Sequence, residues 1–130
     1  MTKSVTNLVF ENPGFLRGVA LFNQGRFYDA HEVWEDVWRE HRGPEKSLLQ
    51  GLIQVAVGLH HFGQGNLPGA RSLLRRGHKR LDEYPDEFPG LEVRALKQQI
   101  GAWQEALAGS GPYPPFPRLG GAAGATIPGA

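Results

Sequence analysis

The residues best suited to chemistry form a short motif, His31-Glu32-x-x-Glu35-x-x-Trp38, near the start of the second predicted helix. His31 and Glu35 are four residues apart, which places them on one helix face about one turn from each other. A carboxylate at that spacing can orient an imidazole as a general base, or the two groups can share a divalent metal ion. The motif lacks the second histidine of the HExxH zinc signature, so a purely helix-stabilising pair is the alternative.

The third predicted helix carries a second polar stripe. Gln50, Gln54 and His61 lie along one side of a helix that is otherwise rich in Leu, Ile and Val. If the second and third helices pack antiparallel, His31, Glu35, Gln54 and His61 converge in one pocket. Two histidines and one glutamate would then match a metal site with open positions.

These polar groups lead to the first functional hypothesis, a small helical protein whose His/Glu/Gln pocket binds a divalent metal or catalyses a hydrolysis. Asn66 is expected to cap the fourth helix or to join the same site. Trp38 is expected to be a core side chain, with a ligand-binding aromatic box as the alternative. The assigned residues are His31, Glu32, Glu35 and His61 as catalytic groups, His31, Glu35 and His61 as metal ligands, and Gln54, Asn66 and Trp38 as ligand-binding groups. Neither the reaction, the small-molecule substrate nor the metal can be named from these residues.

The fourth predicted helix is basic and supports a different hypothesis. Arg71, Arg75 and Lys79 form a stripe at i, i+4 and i+8, which would suit contact with a phosphate ligand or with RNA. The competing expectation is structural, since Glu35 and Asp36 on the acidic second helix are placed to neutralise these arginines. We expect that pairing, and we regard nucleic acid as the less favoured partner.

Five helices must position these residues. Pro13 and Pro68 are expected at the first position of their helices, where a missing N–H costs nothing. Gly51 and Gly58 lie inside the third helix and are expected to mark the close approach of a neighbour or a ligand, because each costs about 1 kcal/mol against Ala there. The apolar spacing predicts helices over 13–24, 27–41, 44–63, 68–83 and 91–108.

An internal repeat at an offset of 40 residues refines this fold. The segment Phe22–Ala30 matches Phe62–Ala70 in its aromatic, glycine and alanine positions. Gly25 and Gly65 suit the left-handed position that ends a helix. We therefore expect an all-α, compact five-helix bundle built on two tetratricopeptide-like hairpins plus a C-terminal helix. Such hairpins also suit a protein-binding or scaffold module, which self-association into a homo-oligomer could extend.

Composition limits the alternatives. The chain has 130 residues, a formal net charge of +1 and no cysteine, which excludes disulfides, thiolate metal sites and cysteine nucleophiles. Its 18 Gly and 10 Pro are concentrated near the C-terminus. We expect an extended arm over 1–11, a helical domain over 12–108 and an extended or disordered tail over 109–130. The sequence contains neither a membrane-length apolar run nor a signal-peptide pattern, so we expect no membrane partner and a cytoplasmic location.

The two helical motifs together resemble the prokaryotic domain-of-unknown-function family 309, over about residues 15–107. They read Phe22-x-x-Gly25-x-Phe27-x-x-Ala30-His31-Glu32-x-x-Glu35-x-x-Trp38 and Gln50-Gly51-Leu52-Ile53-Gln54-Val55-Ala56, followed by His61 and Gly65-Asn66-x-x-Gly69-Ala70. The family is all-helical and has no established activity, so the resemblance implies a fold without a reaction. Its recurrent polar positions correspond to His31, Glu32, Glu35, Gln54, His61 and Asn66.

Overall fold

Five α-helices and no strand make up the part of the chain that the computed structural model describes, which is 11–86, 91–109 and 111–120. The all-α prediction is confirmed, and each predicted helix is correct to within two residues at either end. The predicted arm up to residue 10 and the predicted tail beyond 120 lie outside the described residues. No helix in the described ranges is long and apolar enough to span a membrane. The helices are α1 (Pro13–Asn23), α2 (Phe27–Glu40), α3 (Glu45–Gly63), α4 (Leu67–Leu81) and α5 (Val93–Leu107).

Asparagine side chains begin α1 and α4. Asn12 Oδ1 accepts hydrogen bonds from the backbone N–H groups two and three residues further on, at 2.7 and 3.2 Å. Asn66 Oδ1 accepts from the N–H of Gly69 at 3.0 Å. These three bonds satisfy helix N–H groups that have no partner within the helix. Pro13 occupies the first helical position as predicted, whereas Pro68 occupies the second because α4 begins one residue earlier.

The turns between α1 and α2 and between α3 and α4 have the same geometry. Gly25 and Gly65 both have a φ of 81°, a region that glycine enters without steric cost. In each turn the residue after the glycine donates to the carbonyl five residues earlier, at 2.9 and 2.8 Å. This is the helix-ending pattern that the repeated glycine predicts. The two hairpins therefore close alike, while their likeness to tetratricopeptide hairpins stays a prediction.

Trp34 joins α1 to α2. Its ring is fully buried and lies 5.9 Å from the Phe15 ring and 5.7 Å from the Phe22 ring, measured between centroids. The indole Nε1 donates to the Phe15 carbonyl at 3.1 Å. Gly18 faces the indole, and a methyl group at that position would collide with it. Trp34 turns this face of α2 into the core, and His31, three residues earlier, lies at its border with a side chain only 15% exposed.

The helices α3 and α4 approach each other closely through glycines. A Cβ atom on Gly51 would lie 3.1 Å from Arg80 Cβ, and one on Gly58 would lie 3.2 Å from Leu73 Cβ. A Cβ atom on Gly77 would lie 2.9 Å from the Gly51 carbonyl oxygen. The close approach predicted from Gly51 and Gly58 is therefore a helix crossing, and α4 is the neighbour.

The chain after α5 runs back over the bundle. Residues 111–120 form neither helix nor strand. The indole Nε1 of Trp103 donates to the Pro115 carbonyl at 2.9 Å. Gln99 accepts from the Arg118 N–H at 2.8 Å and donates to its carbonyl at 3.0 Å. These bonds attach the segment to α5.

A cluster of charges holds the end of α4 to α5. Lys97 Nζ lies 3.2 Å from Asp86 Oδ1 and 3.3 Å from Asp82 Oδ1. Arg94 Nε donates to Asp86 Oδ2 at 3.3 Å. The hydrogen bond from Lys97 holds the pKa of the Asp86 carboxyl below its ordinary value, and Arg94 acts in the same direction. The carboxylate of Asp86 is therefore better stabilised in the folded protein than in the unfolded chain.

Candidate functional site

Two contacts show that α2 and α3 run antiparallel, as predicted. Near the start of α2, the Tyr28 ring lies 5.0 Å from the His60 ring near the end of α3. Near the end of α2, the Trp38 ring lies 4.1 Å below the Nζ atom of Lys46 at the start of α3. Because both helices rise about 1.5 Å per residue, positions midway between these contacts lie at the same height.

The register places His31 and Glu35 level with the middle of α3, where Gln54 lies. On the other side of α3 runs α4, and its Arg80 Nη1 donates to Ser47 Oγ at 2.8 Å. The face of α3 between these two neighbours carries Gln50, Gln54 and His61, which recur at helical spacing. We call this surface, with α2 and α4 as its sides, the α2–α4 groove.

His31 is held in one orientation at the α2 side. Its Nδ1 lies 2.8 Å from the Tyr28 carbonyl oxygen, which can only accept, so Nδ1 carries a proton. The Nε2 atom then has the lone pair in the neutral ring and lies 3.7 Å from Glu35 Oε2. That distance allows an ion pair when the ring is protonated but exceeds a hydrogen bond. His31 is thus arranged to accept a proton or a hydrogen bond at Nε2, with a carboxylate nearby to stabilise the imidazolium.

His61 is held in the opposite tautomer. Asn66 Nδ2 lies 3.3 Å from His61 Nδ1. Exchanging the positions of the Asn66 amide oxygen and nitrogen would break the cap of α4, because the oxygen accepts from the N–H of Gly69. Asn66 therefore donates to Nδ1, and the neutral ring carries its proton on Nε2. His61 presents a hydrogen-bond donor where His31 presents an acceptor, and Asn66 caps α4 as predicted.

The predicted metal ligands are not gathered in one place. Ring contacts join His31 to Tyr28, Tyr28 to His60 and His60 to His61, with centroid distances of 4.9, 5.0 and 6.1 Å. Within the described ranges, no group of three or more His, Asp or Glu side chains is arranged to hold a metal ion. A metal-binding histidine usually donates its second ring nitrogen to an acceptor. His31 does so, whereas Nδ1 of His61 faces an amide donor. Glu35 is the one predicted ligand next to His31.

Gln54 carries an anomaly at the middle of the groove floor. Its Oε1 atom is buried and accepts no hydrogen bond from any described group. A buried acceptor without a donor costs about 1–3 kcal/mol. A buried acceptor without a donor is rare in folded proteins. A binding site would explain it, because a ligand can supply the missing donor.

A cleft of about 630 Å³ opens at the end of the groove near the start of α3. Trp38 forms one wall and is only partly buried, so the expectation that it is a core side chain holds for one side of the ring. Sequence reasoning does not find Lys46 and Tyr84, because neither residue belongs to the motif that contains Trp38 and the two are far apart in the chain. The lining residues are Trp38, Gly43, Pro44, Lys46, Ser47, Gln50, Arg80 and Tyr84.

Three predicted site residues lie apart from this groove. Glu32 is exposed on α2. Arg71 Nη1 donates to the Leu107 carbonyl at 3.4 Å, which directs the side chain to the end of α5. Arg75 is exposed on α4. The structure does not bring these three to His31.

The expected pairing between the acids of α2 and the arginines of α4 is wrong. Glu35 Oε1 and Asp36 Oδ1 instead lie 3.5 and 2.7 Å from Arg39 on their own helix. None of the ion pairs in the described ranges joins α2 to α4. The equivalence of the two hairpins in sequence misleads here, because α3 lies between α2 and α4 and separates their charges.

Comparison with known proteins agrees with the resemblance found in the motifs. Residues 15–73 match the family model described as Domain of unknown function (DUF309). An uncharacterized protein of the bacterium Aquifex aeolicus (strain VF5) is 34% identical over 83 residues, which cover 61% of this chain and 25% of that protein. The chain thus spans about a quarter of the length of this relative. The family match runs from the first turn of α1 into α4 and contains every motif residue from His31 to Asn66, and α5 lies outside it.

Proposed function

We propose that residues 15–73, the DUF309 part of this chain, form with α4 a groove that binds a small polar molecule. The observation that carries the proposal is the buried, unpaired Oε1 of Gln54 on the groove floor. The α2–α3 register supports this, because His31 and Glu35 are about level with Gln54. A ligand donor that reaches Gln54 would therefore be close to the His31 imidazole, whose Nε2 lies 3.7 Å from Glu35 Oε2.

The chemistry of these groups suits proton transfer. His31 Nε2 would take a proton from the ligand or from a water beside it, and Glu35 would stabilise the resulting imidazolium. His61 Nε2–H would donate to an oxygen at the other end of a longer ligand. Hydrolysis of a polar bond is the reaction class that uses a base and a donor in this way, and it is the enzymatic form of the proposal.

Fragment binding followed by amide NMR tests the groove. Small amides, alcohols and carboxylates are the probes, and we expect saturable shift changes at the amides of His31, Gln54 and His61. Gln54→Met removes the acceptor with little change in volume and should abolish those changes. Gln104→Met, an equally conservative change on α5, should leave them intact. Fragments that perturb other surfaces only would refute the proposal.

A divalent metal at His31 and Glu35 is the second form of this site. It is favoured by the bond from His31 Nδ1 to the Tyr28 carbonyl, which is the outer contact that metal-binding histidines commonly make. Elemental analysis of protein dialysed against zinc is the test. We expect bound zinc that is lost in His31→Ala and retained in His78→Ala. Equal zinc content in the wild type and both variants would refute metal binding at His31 and Glu35.

A second candidate function uses the basic stripe of α4. No ion pair of the described residues covers Arg75 or Lys79, so this surface is open to phosphates. Fluorescence anisotropy with a single-stranded RNA oligonucleotide tests it, and binding should weaken steeply with added salt. An unchanged affinity in the double variant Arg75→Gln, Lys79→Gln would refute it.

A further inference from the structure

The cleft at the end of the α2–α4 groove contains two cations that no described carboxylate neutralises. Lys46 Nζ lies over the Trp38 ring at 4.1 Å, and Arg80 donates to the neutral Ser47 hydroxyl. Neither side chain is part of any ion pair in the described ranges. By contrast, Lys97 lies within 3.3 Å of two carboxylates. Within the described ranges, the charges of these two side chains are therefore not balanced by an ion pair.

The carboxylates nearest in sequence to Lys46 and Arg80 form no described ion pair with them. Glu45 precedes Lys46, yet it is buried, lies 3.1 Å from His41 Nε2 and is not part of the cleft lining. Asp82 follows Arg80 closely and pairs with His78 and Lys97. Within the described ranges, neither Glu45 nor Asp82 pairs with Lys46 or Arg80.

The cleft is also held in shape before any ligand binds. The bond from Arg80 Nη1 to Ser47 Oγ fixes one nitrogen of the guanidinium and leaves other N–H groups in its plane to donate to a ligand. Tyr84 Oη donates to the Pro44 carbonyl at 2.6 Å, which fixes the phenol as a wall beside the start of α3. A binding site that is already ordered loses less entropy when its ligand arrives.

We infer that this cleft binds the phosphate group of a small ligand. Its volume of about 630 Å³ is that of a small-molecule pocket. Two cations match the charge of about −2 on a phosphate monoester, and a guanidinium suits phosphate geometry. Trp38 and Tyr84 provide apolar walls for the rest of the molecule.

The inference rests on the proposed function, because the cleft and the groove share one floor. Gln50 lines the cleft, and Gln54 lies one turn further, about 6 Å along the helix axis. A ligand whose phosphate lies between Lys46 and Arg80 would place its next polar groups against Gln54. The ligand class is therefore a phosphorylated small molecule with a hydrogen-bond donor about that far from its phosphorus.

Titration with inorganic phosphate and with phenyl phosphate tests the inference, at an ionic strength held constant with sodium chloride. Amide NMR should show saturable binding in the cleft, tighter for phenyl phosphate because its ring contacts the aromatic walls. Lys46→Met and Arg80→Gln should each weaken binding about ten- to a hundredfold, as expected when a charged hydrogen-bond partner is lost. Arg17→Gln removes an exposed charge from α1, which does not line the cleft, and should retain the wild-type affinity.

Absence of saturable binding at millimolar concentrations of both probes would overturn the inference. An equal loss in Arg17→Gln and Arg80→Gln would also overturn it, because non-specific attraction to any surface cation would then suffice. Arg80→Lys keeps the charge and should bind with intermediate affinity, and circular dichroism checks that each variant is folded. If phosphate does not bind while Gln54→Met still abolishes fragment binding, the phosphate inference is refuted and the proposed binding groove is supported. If phosphate binds while Gln54→Met leaves fragment binding intact, the phosphate site is supported and the proposed function is refuted.

Discussion

Replacement of Gln54 by methionine should make the protein more stable. Methionine and glutamine have similar length and helix propensity, so neither a cavity nor a backbone effect is expected. The change removes a buried acceptor that no described group satisfies, and the penalty for such a group is about 1–3 kcal/mol. Allowing for contacts of the amide nitrogen that are lost, we expect the free energy of unfolding to rise by about 1 kcal/mol. In a chain of this length that corresponds to roughly 4 °C in Tm.

Urea denaturation followed by tryptophan fluorescence measures this difference. Gln99→Met is the matched control, because the same substitution then removes an amide that is fully engaged. Gln99 bonds to the Ala95 carbonyl at 3.2 Å and to both backbone polar groups of Arg118. That variant should lose about 1–3 kcal/mol. The two substitutions should therefore change stability in opposite directions.

A loss of 1 kcal/mol or more in Gln54→Met would refute the reasoning. It would mean that the Gln54 amide stabilises the folded chain, and the argument that it is retained for a ligand would lose its basis. A gain in stability together with a loss of fragment binding is the result expected of a residue kept for function.

Three further substitutions test the packing and the charges. Gly77→Ala should lower the free energy of unfolding by about 1–3 kcal/mol, since its Cβ would lie 2.7 Å from Val55 Cγ2 and 2.9 Å from a carbonyl oxygen. The control Gly101→Ala meets open space and should raise the free energy of unfolding by up to about 1 kcal/mol. Thermal unfolding measures both variants, and equal effects would contradict the close helix crossing. Trp34→Phe should cost about 2 kcal/mol in urea denaturation, because it removes the bond to the Phe15 carbonyl and leaves a void, and a neutral result would contradict the role of Gly18. Asp86→Asn should destabilise the protein at neutral pH and match the wild type in strong acid. The pKa of Asp86 is lowered in the folded state, so the stability that its carboxylate contributes is present above the unfolded pKa of about 3.9 and is lost as the pH falls through the folded pKa. Urea denaturation across this pH range measures it, and a stability difference between wild type and variant that does not change with pH would contradict this prediction.

The helices and their ends could be predicted because local interactions determine them. Asn12 and Asn66 cap helices through bonds to residues two or three positions away, and Gly25 and Gly65 end helices within one turn. The apolar spacing along each segment then selects the face that enters the core. The proximity of His31 and Glu35 could also be predicted, because i, i+4 spacing on a helix ensures it.

The chemistry of the groove depends on the packing of three helices. No pattern in the chain marks Gln54 Oε1 as unpaired, although the opposite tautomers of His31 and His61 follow from contacts only three and five residues away in the chain. Lys46 and Arg80 line the same cleft because glycines allow α4 to lie close against α3. The acids of α2 do not reach α4 because α3 lies between these two helices. Sequence by itself determined the five helices, the asparagine caps of α1 and α4 and the His31–Glu35 pair, because those follow from contacts within a turn. Only the tertiary structure decided which face of α3 stays open and which charges border it, because interhelical distance and register depend on side chains that are far apart in the chain.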